Sequence, residues 1–176
     1  MANEQEITVK ALQTSIRMEI DGKEFYKTAS KASTNKLGKK LLKRLSDEED
    51  IHRKVFENIY NTIRADKGWP AETYKPDAGQ RLRTVFAEAI DDMGRDVKTI
   101  PTELKAIETA MEMENKTFDF YTRRSKESNF ATEKQFYDAV ALQEKEHHRV
   151  LLDYFEFLKN PAAWFVEKEH PSIDGG

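Results

Sequence analysis

The chain has 176 residues, of which 38% are hydrophobic and 35% charged, with a formal net charge of −3 and no cysteine. The lack of cysteine excludes disulfide bonds, a thiolate nucleophile and a cysteine-ligated iron centre within this chain, and it favours a cytoplasmic location. No apolar run approaches the length of a membrane span, and the N-terminal segment is too polar for a signal peptide. Acidic and basic residues are interspersed, so we expect no nucleic-acid partner and no membrane partner.

The hydrophobic pattern predicts four long helices and one short one. Apolar residues at steps of three and four indicate a first helix over about 8–32 and a second over about 37–64. Breaks at 68–70 and 75–77 are followed by a short amphipathic helix from about residue 82. The third long helix covers about 102–125, next to Pro101, and the fourth covers about 132–158, before Pro161.

Short connections join the first helix to the second and the third to the fourth, so each pair forms a helical hairpin. We therefore predict a single all-α domain, a four-helix bundle with a long crossover connection. The first hairpin spans about 7–64, the crossover about 65–101, the second hairpin about 102–159 and the tail 160–176. Trp164 and Phe165 in the tail are expected to pack on the bundle or on a neighbouring subunit.

The two hairpins repeat the same polar residues at a fixed distance. The difference between 19 and 114, between 49 and 144, and between 52 and 147 is 95 residues each time. The repeated unit is a single Glu on one helix, a Tyr two turns later, and Glu-x-x-His on the next helix. The recurring residues are Glu19, Tyr26, Glu49 and His52 in the first copy and Glu114, Tyr121, Glu144 and His147 in the second.

These repeated residues predict a dinuclear metal site. Glu and His three positions apart on a helix project to the same side, so each Glu-x-x-His can reach one ion. Glu49 and Glu144 can bridge the two ions, while Glu19 and Glu114 supply further carboxylates. Mixed oxygen and nitrogen ligation suits iron or manganese, and zinc can also occupy such a site. The simpler interpretation, solvated Glu and His on a duplicated hairpin, requires several acids to fall by chance on the buried stripe of both copies.

The other two histidines of the chain have no counterpart in the repeat. Glu167-x-x-His170 matches the motif but has no repeat partner, and His148 points away from His147, so neither is predicted to bind metal. Metal-bound imidazoles usually need a hydrogen-bond acceptor on their second nitrogen. Glu48 and Gln143, which precede Glu49 and Glu144, are candidates for that role, with a solvated position as the alternative.

At these motifs the chain resembles the rubrerythrin branch of the ferritin-like diiron superfamily. The resemblance rests on Glu19-x-x-Gly22-x-x-Phe25-Tyr26, Glu48-Glu49-x-x-His52, Glu114 with Phe120-Tyr121, and Glu144-x-x-His147. It implies a ferritin-like fold, terminal ligands Glu19 and Glu114, bridging ligands Glu49 and Glu144, terminal imidazoles His52 and His147, and a homodimer or larger homo-oligomer. The chain departs from rubrerythrins in lacking the rubredoxin domain and in having Met111 where they carry an extra Glu.

The resemblance leads to three functional hypotheses. The first is a non-haem diiron peroxidase, with two iron ions per chain, that reduces hydrogen peroxide with electrons from an external donor protein, dioxygen being the other candidate oxidant. The second is ferritin-like iron oxidation, storage or transfer. The third is a metal-stabilised structural module. Tyr26 and Tyr121 are the candidate catalytic residues, either bonded to ligand carboxylates or active in electron transfer, with a core-packing role as the alternative.

Overall fold

The computed structural model describes residues 4–71, 74–77, 79–93 and 101–169, and this part of the chain is built from helices. The all-α prediction is confirmed. No helix among these residues has the length and apolar character needed to cross a membrane. The helices are α1 (Glu4–Ala32), α2 (Lys36–Arg64), α3 (Gln80–Met93), α4 (Pro101–Glu127), α5 (Ala131–Lys159) and α6 (Pro161–Glu169).

The turn between α1 and α2 is fastened to the second hairpin. The Asn35 side chain accepts a hydrogen bond from the backbone N–H of Gly38 (2.7 Å) and so caps α2. At the same end of the bundle, the buried Glu103 of α4 accepts hydrogen bonds from Ser33 (2.6 Å) and from Tyr154 of α5 (2.8 Å). These buried polar contacts fix the register of the two hairpins.

The direction of the helices explains the long crossover. Tyr26 of α1 contacts Glu114 of α4, and Tyr121 of α4 contacts Glu19 of α1, which requires α1 and α4 to run antiparallel. Because α2 is antiparallel to α1, it runs parallel to α4, and the chain between them must return along the bundle. The predicted short helix of this crossover is α3, which packs against α2 and α5.

The buried core consists of two apolar clusters, with the repeated acids and histidines between them. One, named here the α3 cluster, includes Leu41, Leu42 and Leu45 of α2 together with Leu82 and Phe86 of α3. The other, the aromatic cluster, is Leu12, Phe56, Ile59, Ile63, Tyr121, Phe136, Tyr137, Val140 and Ala141. Burial of these side chains supplies the main favourable free energy of folding, on the order of 2 kcal/mol for each large residue.

The tail packs on the bundle of its own chain. Helix α5 ends at Lys159, before Pro161 as predicted, and Pro161 is the first residue of α6. Trp164 lies edge-on to Phe86 of α3 and to Phe157 of α5, with ring centroids 6.0 and 6.3 Å apart. The tail therefore ties the crossover to the end of the second hairpin.

Candidate metal centre

The structure brings all six sequence-predicted ligands together in the middle of the bundle. Each comes from the core-facing stripe of a long helix, one from α1, two from α2, one from α4 and two from α5. None is more than 3% exposed. They are Glu19, Glu49, His52, Glu114, Glu144 and His147.

The six residues form two overlapping groups. Glu19, Glu49, His52 and Glu144 each offer a ligand atom within 4.8 Å of the others, and so do Glu49, Glu114, Glu144 and His147. Glu49 and Glu144 are common to both groups, which is the arrangement that two bridging carboxylates need. The group containing His52 is called here the His52 position, and the group containing His147 is called the His147 position.

Unpartnered polar atoms provide a test of whether the residues fit a metal pair. Ten buried side-chain nitrogen or oxygen atoms of the described residues lack a hydrogen-bond partner, and six of them belong to the predicted ligands, one atom from each. Several of these atoms lie at ion-pair distance from one another but form no hydrogen bond, and a buried polar atom without a hydrogen bond costs roughly 1–3 kcal/mol. Two cations bound by these atoms would remove that cost, so the residues present fit the group. The six atoms are Glu19 Oε2, Glu49 Oε1, His52 Nδ1, Glu114 Oε2, Glu144 Oε1 and His147 Nδ1.

Both imidazoles present the same nitrogen to the carboxylates. Nδ1 of His52 lies 3.1 Å from Glu144 Oε1 and 3.3 Å from Glu19 Oε2. Nδ1 of His147 lies 3.1 Å from Glu49 Oε1 and 3.5 Å from Glu114 Oε1. The two rings are nearly parallel, with centroids 5.6 Å apart. Each histidine therefore faces a shared carboxylate of the opposite hairpin and a terminal carboxylate, and turns its Nε2 away from the centre.

The crowded carboxylates shift the pKa values of the site strongly. Burial and the charges of neighbouring carboxylates raise the pKa of both Glu49 and Glu144 well above the usual range. Burial opposes protonation of His52, but the charge and hydrogen bonding of Glu19, together with the charges of Tyr74 and Glu49, outweigh it and raise the pKa of His52 to about 10. The pKa of His147 is raised as well, since Glu114 and Glu48 outweigh its burial. The metal-free site therefore retains protons that incoming cations must displace.

The two repeated tyrosines bind carboxylates across the pseudo-symmetric centre. Tyr26 donates its hydroxyl hydrogen to Glu114 Oε1, and Tyr121 donates to Glu19 Oε1. Burial and the adjacent carboxylates raise the pKa of both phenols, so they remain protonated donors at neutral pH. Each tyrosine thus orients the predicted terminal ligand of the other hairpin.

The outer nitrogens of the two imidazoles have different partners. Nε2 of His147 lies 3.0 Å from Glu48 Oε2, whereas Nε2 of His52 lies 3.0 Å from the Tyr74 hydroxyl. The prediction for Glu48 is therefore confirmed, but Gln143 binds Glu48 (2.9 Å) and not a histidine. Sequence reasoning missed Tyr74 because it lies in the crossover, where the repeat offers no signal.

The remaining candidates lie apart from the centre. His148 is half-buried and belongs to neither group among the residues that the structure describes. His170 lies outside the described residues. Met111 packs against the α3 cluster, so the position of the extra rubrerythrin carboxylate is apolar here.

A comparison with protein-family models gives a match to the rubrerythrin model over residues 10–154, which includes both hairpins and all six central residues. Comparisons with curated proteins and with solved structures gave no match. The family match and the helical architecture support a ferritin-like fold, and the two groups of buried acids and histidines could hold metal. The chain belongs to the rubrerythrin family.

Proposed function

We propose that this protein is an oxidoreductase that holds two metal ions, iron by preference, and reduces hydrogen peroxide with electrons from a separate donor protein. The observation that carries the proposal is the set of six unpartnered ligand atoms, one from each repeated acid or histidine. A pair of Fe(II) ions supplies two electrons, the number needed to reduce one peroxide molecule, with two protons, to two waters.

The burial of the centre favours a small oxidant. With ligand residues at most 3% exposed, a substrate larger than peroxide or dioxygen would have to displace packed side chains to reach them. Exclusion of water also strengthens the interaction of the ligand charges with bound cations. A buried dinuclear centre of this kind therefore suits two-electron reduction of a small molecule.

The chain's own residues hold the centre rather than supply the electrons. Tyr26 and Tyr121 fix the terminal carboxylates through crossed hydrogen bonds. Glu48 and Tyr74 fix the two imidazoles so that Nδ1 of each faces the carboxylates. Because the chain has no cysteine, a rubredoxin-type relay cannot be built from its own residues. Repeated turnover therefore requires an external reductant.

The test is anaerobic reconstitution with Fe(II), followed by rapid mixing with peroxide while the absorbance of the oxidised centre is recorded. Without a donor, about one peroxide should be consumed per pair of ions, since the pair holds two electrons. A reduced rubredoxin-like protein with its reductase should turn this into sustained consumption. Retention of tens of iron ions per chain in a large assembly, without donor-dependent peroxide reduction, would favour iron storage instead.

A further inference from the structure

The two halves of the centre differ in what supports the imidazole. Glu48 accepts from Nε2 of His147, and its carboxylate is also bound by Arg44 (2.9 Å) and Gln143 (2.9 Å). On the other side, Nε2 of His52 contacts the hydroxyl of Tyr74 (3.0 Å). One imidazole is thus supported by an anion and the other by a neutral phenol.

The sequence repeat explains how this difference arises. The counterpart of Glu48 in the second hairpin is Gln143, 95 residues later. If pseudo-symmetry were complete, residue 143 would accept from His52 as Glu48 accepts from His147. Instead the Gln143 amide donates to Glu48 Oε2, so both residues lie on the His147 side. Tyr74, from the crossover, contacts Nε2 of His52 in its place.

The surroundings of the two supports differ as well. Glu48 is 5% exposed and lies under Arg44. Tyr74 is half-buried and lines a surface cavity of about 440 Å³ with Pro70 and Phe136. A second cavity, of about 180 Å³, is lined by both Tyr74 and Glu48. Tyr74 is therefore the more exposed of the two partners, and of the two it is the one that lines the larger cavity.

From these contacts we infer that the two metal positions are inequivalent. The His147 position binds its ion more tightly, and the His52 position is the weaker, exchangeable one. Tyr74 is the positioning residue that sets the metal affinity of the His52 position. This rests on the proposed function only in its premise that the six residues bind two ions. A carboxylate that accepts the Nε2–H makes the imidazole a more basic ligand than a phenol does. Substitution of such outer partners commonly changes metal affinity by about 10–100-fold.

The experiment is an anaerobic titration of the metal-free protein with Mn(II), followed by electron paramagnetic resonance. Ordered filling predicts that the first equivalent gives the six-line spectrum of an isolated ion, and that the second converts it to the spectrum of a coupled pair. In Tyr74→Phe the second dissociation constant should rise by about tenfold or more while the first is unchanged. Glu48→Gln should instead raise the first dissociation constant and so reduce the difference between the two dissociation constants.

Tyr60→Phe is the matched control, because Tyr60 is also half-buried and hydrogen-bonded, to Gln13 (3.3 Å), but is absent from both metal groups. Tyr60→Phe should leave both dissociation constants unchanged. If metal-free Tyr60→Phe and Tyr74→Phe melt at the same temperature, a general loss of fold is excluded. A coupled-pair spectrum from the first addition, or equal weakening of both steps by Tyr74→Phe, would overturn the inference alone. Ordered binding without peroxide reduction would support the inference and overturn the proposed peroxidase function, and no Mn(II) binding at all would overturn both.

Discussion

The two hairpins are alike at the candidate metal centre and different around it. The six ligands and the two tyrosines recur in register, and the tyrosines form the same hydrogen bond in both directions. Beyond them the equivalence ends. Phe136 and Tyr137 in the aromatic cluster correspond, by the 95-residue shift, to Leu41 and Leu42 in the α3 cluster. Apolar packing tolerates such exchanges when volume is redistributed, whereas a ligand set does not.

Some residues that support the candidate centre lie outside the repeat. Tyr74 contacts His52 and Arg44 contacts Glu48, and neither has a counterpart in the repeat. Tyr74 lies in the crossover, and the residue 95 positions after Arg44 is Ala139. A duplicated site can thus place unlike partners around the same six residues, which is the basis of the two unlike metal positions that we propose.

The largest effect is expected from the shared carboxylates. Glu49→Ala or Glu144→Ala should lower the content of both ions, because each residue belongs to both metal groups. Elemental analysis of reconstituted protein measures this directly. Retention of full metal content by Glu144→Ala would reject the assignment of a bridging role.

A smaller and one-sided effect is expected from the histidines. His52→Ala and His147→Ala should each mainly weaken one position, because each imidazole belongs to a single group. His148→Ala is the control and should leave metal content unchanged. If His148→Ala released metal while His147→Ala did not, the assignment from the repeat would be wrong.

Metal affinity should rise with pH. The pKa of His52 is raised to about 10 and that of Glu49 is raised by burial and nearby carboxylates, so the metal-free site holds protons at neutral pH. Each displaced proton makes the apparent affinity increase about tenfold per pH unit below the pKa of the group. Calorimetry in buffers of different ionisation enthalpy counts the protons released. An affinity independent of pH would contradict these shifts.

Gly22 tests the space around one shared carboxylate. A Cβ added there would lie 2.8 Å from Glu49 Oε2, whereas the equivalent residue of the second hairpin is Thr117. Gly22→Ala should displace the Glu49 carboxylate and change the absorbance of the metal-loaded centre. The metal-free protein should lose little stability, because Ala favours a helix over Gly by about 1 kcal/mol. Thermal melting and absorbance, measured together, distinguish this from general unfolding.

The smallest effects are expected from the tyrosines, and they should be equal. Tyr26→Phe and Tyr121→Phe each remove one hydrogen bond to a carboxylate, a loss of about 2 kcal/mol or less in the folded protein. Their crossed arrangement predicts similar decreases in thermal stability of the metal-loaded form. A large effect on peroxide reduction from only one of them would show that the tyrosines do not play equivalent roles.

Much of the fold and the ligand set could be predicted from the sequence because both depend on periodic signals. The step of three and four residues located the helices to within a few positions, although α1 begins at Glu4, earlier than expected, with acids at Glu4 and Glu6 that favour a helix start. The partner of His52 could not be predicted. Tyr74 reaches it through the path of the crossover, which is set by tertiary packing and not by local pattern.

Crystals of the Mn(II)-loaded protein, analysed by anomalous scattering, would test the dinuclear centre most directly. We predict two anomalous peaks per chain, both between Glu49 and Glu144, one beside Nδ1 of His52 and the other beside Nδ1 of His147. A single peak, or peaks located at His148 or His170 rather than between the two shared carboxylates, would contradict the account.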